Sequence, residues 1–82
     1  MARLVLLGRL EDLAGAPEID APTATTLAEA LVVLPEPVRA EVAKGKVRFA
    51  LNGAVLAAGA DPAAIALGDG DEVALLPPVS GG

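Results

Sequence analysis

The chain contains no cysteine, histidine, tryptophan or tyrosine, and its one aromatic residue is Phe49. Without cysteine there are no disulfide staples and no thiolate chemistry, and without histidine there are no imidazole metal ligands. Neither a Ser-His-Asp nor a Cys-His nucleophilic device can be assembled from this chain alone. Any chemistry falls to carboxylates, a few hydroxyls, lysine, or the ends of the chain. Positive charge is scarce as well: 6 Lys and Arg stand against 11 Asp and Glu, a net charge of −5. Nucleic-acid binding draws on clustered cations for counterion release and on aromatics for base stacking, so that class is excluded. No apolar run approaches the ~20 residues of a membrane span. The first one, Leu4 to Leu7, is cut by Gly8-Arg9 too soon to be a signal peptide. The expectation is a soluble cytoplasmic protein that binds neither nucleic acid nor membrane.

What is present is a small core. The 82 residues are 54% hydrophobic, but 18 of these apolar residues are alanine, which leaves 26 larger ones. That suffices for one domain and no second. The mean hydropathy of +0.58 argues against intrinsic disorder.

Leu4 to Leu7 reads as a buried strand ended by Gly8. Leu10 to Ala14 has helical spacing for one turn, closed by Gly15 and Pro17. Glu18-Ile19-Asp20 alternates as a short second strand, antiparallel to the first, and Pro22 stops it. Thr26 and Glu29 match a capping box, and Leu27, Ala30, Leu31 and Leu34 then fall on one helical face. Pro35 and Pro37 end that helix and open another over Val38 to Ala43, stopped by Lys44-Gly45. Val47, Phe49 and Leu51 alternate on one face of a third strand. Asn52-Gly53 is a type I′ hairpin signal, and Ala54 to Leu56 returns. Ala57 to Leu67 is an alanine-rich connection with one helical turn after Asp61-Pro62. Gly68 to Asp71 makes a tight acidic turn before a last strand, Glu72 to Leu76.

This order predicts an α+β fold with one mixed sheet on one or two helices. The first and last strands, the most apolar, lie parallel in its interior. With helices on one side only, the other apolar set has nothing in the chain to bury it unless the Ala57 to Ala66 loop folds over it. An uncovered apolar set marks a partner surface, centred on Leu76, Ala74 and Ala50. The acidic turn 69–72 lacks the ligand spacing of a calcium loop and reads as solvated, so no metal site is expected. Lys44, Lys46 and Arg48 read as a helix terminus and a solvated strand edge.

The last six residues are the most particular feature. Pro77-Pro78 stiffens the exit from the last strand, and Gly81-Gly82 follows with no Cβ. At about 3.3 Å per residue this tail projects a terminal carboxylate roughly 20 Å from the sheet. The expected division is a domain over 1–76 and a flexible tail over 77–82.

From the first strand with Gly8-Arg9-Leu10, through Asn52-Gly53 and Gly70-Asp71-Glu72-Val73, to Pro77-Pro78-Val79-Ser80-Gly81-Gly82, the chain resembles the small sulfur-carrier subunits of molybdopterin synthase. These are ubiquitin-like β-grasp proteins. They more often carry aromatics where Leu75 and Leu76 stand, and alanine in place of Ser80. The resemblance implies a carrier subunit that is not an enzyme on its own and binds no cofactor stably. An adenylating enzyme would use ATP to activate the carboxylate of Gly82, and a sulfur donor would convert the adenylate to a thiocarboxylate. Leu76, Pro77, Pro78, Val79, Ser80 and Gly81 would bind the large catalytic subunit, in a heterotetramer, where the sulfur goes into the dithiolene of molybdopterin. Related carriers serve thiamine, tRNA thiolation or cysteine synthesis, and ubiquitin-like modifiers use the same ending for isopeptide bonds. Those remain alternatives.

Overall fold

The computed structural model describes residues 1–78. Five strands form one sheet: β1 (Ala2–Leu6), β2 (Glu18–Ala21), β3 (Arg48–Leu51), β4 (Ala54–Val55) and β5 (Glu72–Leu76). Their order across the sheet is β2-β1-β5-β3-β4. β1 and β5 are parallel, with Leu4 opposite Val73 and Leu6 opposite Leu75, and every other pair is antiparallel. This is the predicted mixed sheet with its first and last strands inside it.

The helical layer differs from the expected one or two helices. It holds three short helices, α1 (Arg9–Ala14), α2 (Leu27–Val32) and α3 (Glu36–Ala43), plus one 3₁₀ turn over Pro62–Ala64. The prolines explain the division: Pro35, with extended backbone, precedes α3 and Pro37 sits in its first turn, so α2 cannot run on. Gly15, at φ +76°, closes α1 by donating its N–H to the Glu11 carbonyl.

Leu10, Leu27, Ala30, Leu34 and Val38 from this layer pack on Leu4, Leu6, Val73 and Leu75, all essentially without solvent contact. Fully burying a leucine or valine is worth about 1.5–3 kcal/mol, so these side chains dominate the stability of so small a domain. The helix start shows one departure from the expected capping box. Thr26 Oγ1 accepts from the Glu29 N–H at 3.2 Å, as predicted. The Glu29 carboxylate instead accepts from the Thr25 N–H at 2.7 Å and the Thr25 hydroxyl at 2.8 Å. Thr25 offers two donors to one oxygen where Thr26 offers one, and together they hold the Glu29 carboxyl below its ordinary pKa.

Candidate functional site

The candidate site is the end of β5 and the sheet face around it. β5 has β1 on one side and β3 on the other, so its exit is fixed from both flanks. On the β3 side, Leu76 lies opposite Arg48. On the β1 side the chain turns at Gly8, whose φ of +57° suits glycine, and a Cβ there would stand 3.2 Å from the Pro77 ring. Pro77 therefore leaves the sheet over a spot only glycine leaves open. Leu76 and Pro77 are half-buried and Pro78 is exposed. Val79, Ser80, Gly81 and Gly82, expected to bind the partner and carry the reactive carboxylate, lie outside the described residues.

Register assigns the two faces of the sheet. Leu4, Leu6, Val73 and Leu75 face the helices, so the alternate residues Val5, Leu7, Ala74 and Leu76 face away. Ala50 is opposite both Ala74 and Val55, which puts these on the same outer face. Ala50 itself is only 7% exposed, so of the three residues expected to centre the open surface it is the one covered by its neighbours. Val5, Leu7, Ala50 and Ala74 line a shallow depression of about 410 Å³, floored at its lower end by Asn52, Gly53, Gly70 and Glu72. The segment that could have covered this face does not. Ile65 accepts from the Leu27 N–H and Leu67 donates to the Thr25 carbonyl, so the loop is bound to the start of α2 on the helical side.

The lower end of the face is locked by polar contacts. Asn52 and Gly53 have φ of +50° and +88°, the two left-handed positions of the predicted hairpin turn. The Asn52 amide group donates to Asp71 at 3.0 Å and its oxygen accepts the Glu72 N–H at 2.9 Å. Asp71 also accepts the Gly68 N–H at 2.8 Å. The Gly68 N–H and then the Asn52 amide keep the Asp71 carboxyl below its ordinary pKa. Two residues of the acidic turn are thus set by backbone geometry, and among the described residues no three carboxylates converge.

Two features were not legible in the chain. The Gly8 contact with Pro77 joins positions 69 residues apart, and its only sequence signal is a glycine directly after an aliphatic run. The other is where the basic segment lies relative to the tail. Lys44 caps α3 and reaches Glu41 at 2.7 Å, as a helix terminus should. Arg48 is exposed at the flank of β3 as expected, since β4 pairs only with Ala50 and Leu51, but it also stands opposite Leu76 at the exit of β5, which the spacing does not show.

Comparison with known proteins agrees with this architecture. The model of the ThiS family matches residues 4–82, which includes the tail. Among solved structures, small archaeal modifier protein 1 of Methanosarcina acetivorans superposes with a TM-score of 0.76 at 24% identity, covering 99% of this chain and 95% of that one. The Haloferax volcanii protein of the same name gives 0.69 at 28% identity, covering 99% and 98%. The complex of subunits 1 and 2 of the molybdopterin-converting factor of Helicobacter pylori gives 0.68 at 26% identity, covering 99% of this chain and 97% of the matched one. No curated protein sequence is a significant match.

Proposed function

The chain belongs to the ThiS family of ubiquitin-like sulfur carriers and modifiers, and from that footing we propose that it is the sulfur-carrier subunit of a molybdopterin synthase. The observation that carries this reading is the course of β5. An interior strand, held on both sides, feeds directly into Pro77-Pro78 and the Gly-Gly ending, beside an apolar face that nothing in the described chain covers. The likeness to a chain from a two-subunit molybdopterin-converting factor supports a large subunit as the partner.

In this reading the Gly82 carboxylate, ionised at neutral pH and a poor electrophile, attacks the α-phosphorus of ATP on an activating enzyme. Pyrophosphate leaves and an acyl-adenylate remains. A sulfur donor then displaces AMP, leaving a thiocarboxylate. The tail enters the large subunit, where the thiocarboxylate sulfur bonds to a carbon of a pterin precursor. Water then cleaves the resulting thioester, leaving the sulfur on the pterin and returning Gly82 to a carboxylate. This chain supplies reach, a rigid base and a slender ending; the catalytic groups belong to its partners. Glycine at the last two positions leaves no side chain to block a narrow channel or crowd the carbonyl.

The test is mass spectrometry after incubation with ATP, the activating enzyme and a sulfur source, followed by addition of the large subunit and the pterin precursor. The wild-type chain gains one sulfur in place of one oxygen at Gly82 and supports molybdopterin formation. A variant with one residue added after Gly82, or with Gly82 deleted, gains none, at unchanged thermal stability. Deletion withdraws the carboxylate by about 3.3 Å, far beyond the ~0.5 Å tolerance of reacting groups. An extended, untrimmed chain that still carries sulfur overturns the proposal. The likeness to two archaeal modifier proteins keeps one second reading: isopeptide conjugates on cellular lysines, without molybdopterin formation, would favour it.

A further inference from the structure

Three of the six cations of this acidic chain fall in residues 44–48, with no acid among them. The fold carries this segment to the base of the tail. Arg48 is opposite Leu76, the last residue of β5, and Lys46 and Arg48 are both exposed on either side of the buried Val47. The guanidinium of Arg48 spends one N–H on the Leu56 carbonyl at 3.0 Å, which orients it and leaves four donors. Among the described residues neither Lys46 nor Arg48 has a carboxylate within ion-pair distance, while Lys44 and Arg9 share Glu41. The β1 flank is mixed, since Glu11 and Asp12 follow Arg9 in α1. The start of β5, at the far end of the strand, is acidic on balance: Asp69, Asp71 and Glu72, with Glu18 and Asp20 beside them, outnumber the Met1 ammonium paired with Asp69 and Arg3 opposite Glu72. Charge on this face therefore runs from negative to positive towards the tail.

A protein that receives the tail must cover its base. An ordinary interface buries about 800 Å² on each partner, so Lys46 and Arg48 lie within any such footprint. Cations covered there without counter-charges would cost affinity, and a basic surface would be repelled. We propose that Lys46 and Arg48 form a cationic docking patch that pairs with acidic side chains at the mouth of the activating enzyme's tail channel. This deepens the carrier reading and rests on it. Adenylation is the step that both the carrier and the modifier readings require, so the patch serves either. Its effect is on encounter: opposite charges at an interface rim raise the association rate, and the gain falls as salt screens them.

The experiment measures pyrophosphate release by the cognate activating enzyme, with the full chain as substrate, at low and high ionic strength. Lys46→Glu, Arg48→Glu and the double variant are compared with Arg39→Glu, which matches each single reversal in charge on α3 away from the tail. The double reversal is expected to lower kcat/KM more than tenfold at low salt with kcat unchanged, and the deficit to shrink at high salt. Lys46→Glu, which breaks no hydrogen bond, should give part of the loss, and Arg39→Glu none. Thermal melting of each variant confirms the fold. Wild-type kcat/KM in the double variant overturns the patch while leaving the carrier reading intact, as does a loss equal to that of Arg39→Glu. A wild-type chain that the enzyme fails to adenylate overturns the carrier reading, and the patch with it.

Discussion

The two faces of β5 are made of nearly the same residues and do opposite work. Val73 and Leu75 point into the helical layer and are 0% exposed. Ala74 and Leu76, their neighbours in sequence, point away and remain half-buried, with no helix over them. Hydrophobicity cannot distinguish Leu75 from Leu76. What separates them is the count of residues from Glu72, because each step along a strand changes face. A one-residue slip in the β1–β5 register would exchange the core face and the outer face. The Arg3 N–H on the Asp71 carbonyl and the Gly70 N–H on the Met1 carbonyl guard against this, and the Asn52–Asp71–Glu72 contacts fix the β3–β5 register in the same way.

The sharpest way to break the comparison is to make one cut on each face. Leu75→Ala leaves a cavity among Leu4, Leu6 and the helices and should destabilise by about 2–5 kcal/mol. A domain of this size is stable by roughly 4–12 kcal/mol, so urea denaturation should show a large fall in midpoint or outright unfolding. Leu76→Glu should change the midpoint little and weaken binding to the large subunit by more than ~2 kcal/mol, read by calorimetry. Unfolding by Leu76→Glu would place Leu76 in the core and reverse the assignment of faces.

Much of this was legible because it is local. Period-two alternation located β3 and β5, glycine and proline marked where helices stop, and Asn52-Gly53 named its own turn. The resemblance around the Gly-Gly tail carried the fold and the kind of function. The remainder depends on register and crossing, which periodicity does not encode. Nothing in the residues 57–67 says on which side of the sheet they lie; the Leu27–Ile65 hydrogen bond decides it. Capping-box spacing points to Thr26 as the partner of Glu29, and only the path of the chain brings Thr25 to the Glu29 carboxylate. Arg48 reads as a solvated edge residue, and only the β3–β5 pairing shows that it faces Leu76 at the base of the tail.

A smaller effect probes where both faces end. Gly8→Ala places a Cβ 3.2 Å from the Pro77 ring at a backbone angle of +57°. Its ψ of −133° lies outside the left-handed helical well, and holding an L-residue in so sparsely populated a region costs about 1–3 kcal/mol. Denaturation should register that loss. The more telling readout is sulfur transfer, which should fall further than stability accounts for, because the Pro77 exit is displaced while the core is untouched. Full activity with the expected loss of stability would show that the tail's direction is set beyond Pro77.

The smallest expected effect concerns the polar lock below the open face, and its sign follows from the Asp71 carboxyl. Hydrogen bonds from the Gly68 N–H and the Asn52 amide hold that pKa below its ordinary value, while the unfolded chain titrates near the usual aspartate value of about 3.9. Between the two values the unfolded state binds more protons, so stability rises with pH there. The contribution is complete above about pH 4 and is lost as pH falls through the lower, folded value. Glu29, held low by Thr25, and Glu41, held low by Lys44 and then Arg9, act in the same direction. The melting temperature should therefore decline on acidification below pH 4, and Asp71→Asn should flatten part of that decline while lowering the plateau at neutral pH. The Glu41 side chain is only 12% exposed but its partners Arg9 and Lys44 are each 61% exposed, so added salt should weaken the Glu41 share, which is carried by ion pairs, more than the Asp71 and Glu29 shares, which rest on hydrogen bonds. An acid limb in Asp71→Asn identical to that of the wild type would remove the lock from the stability of the fold and leave the β3–β5 register to the strand pairing alone.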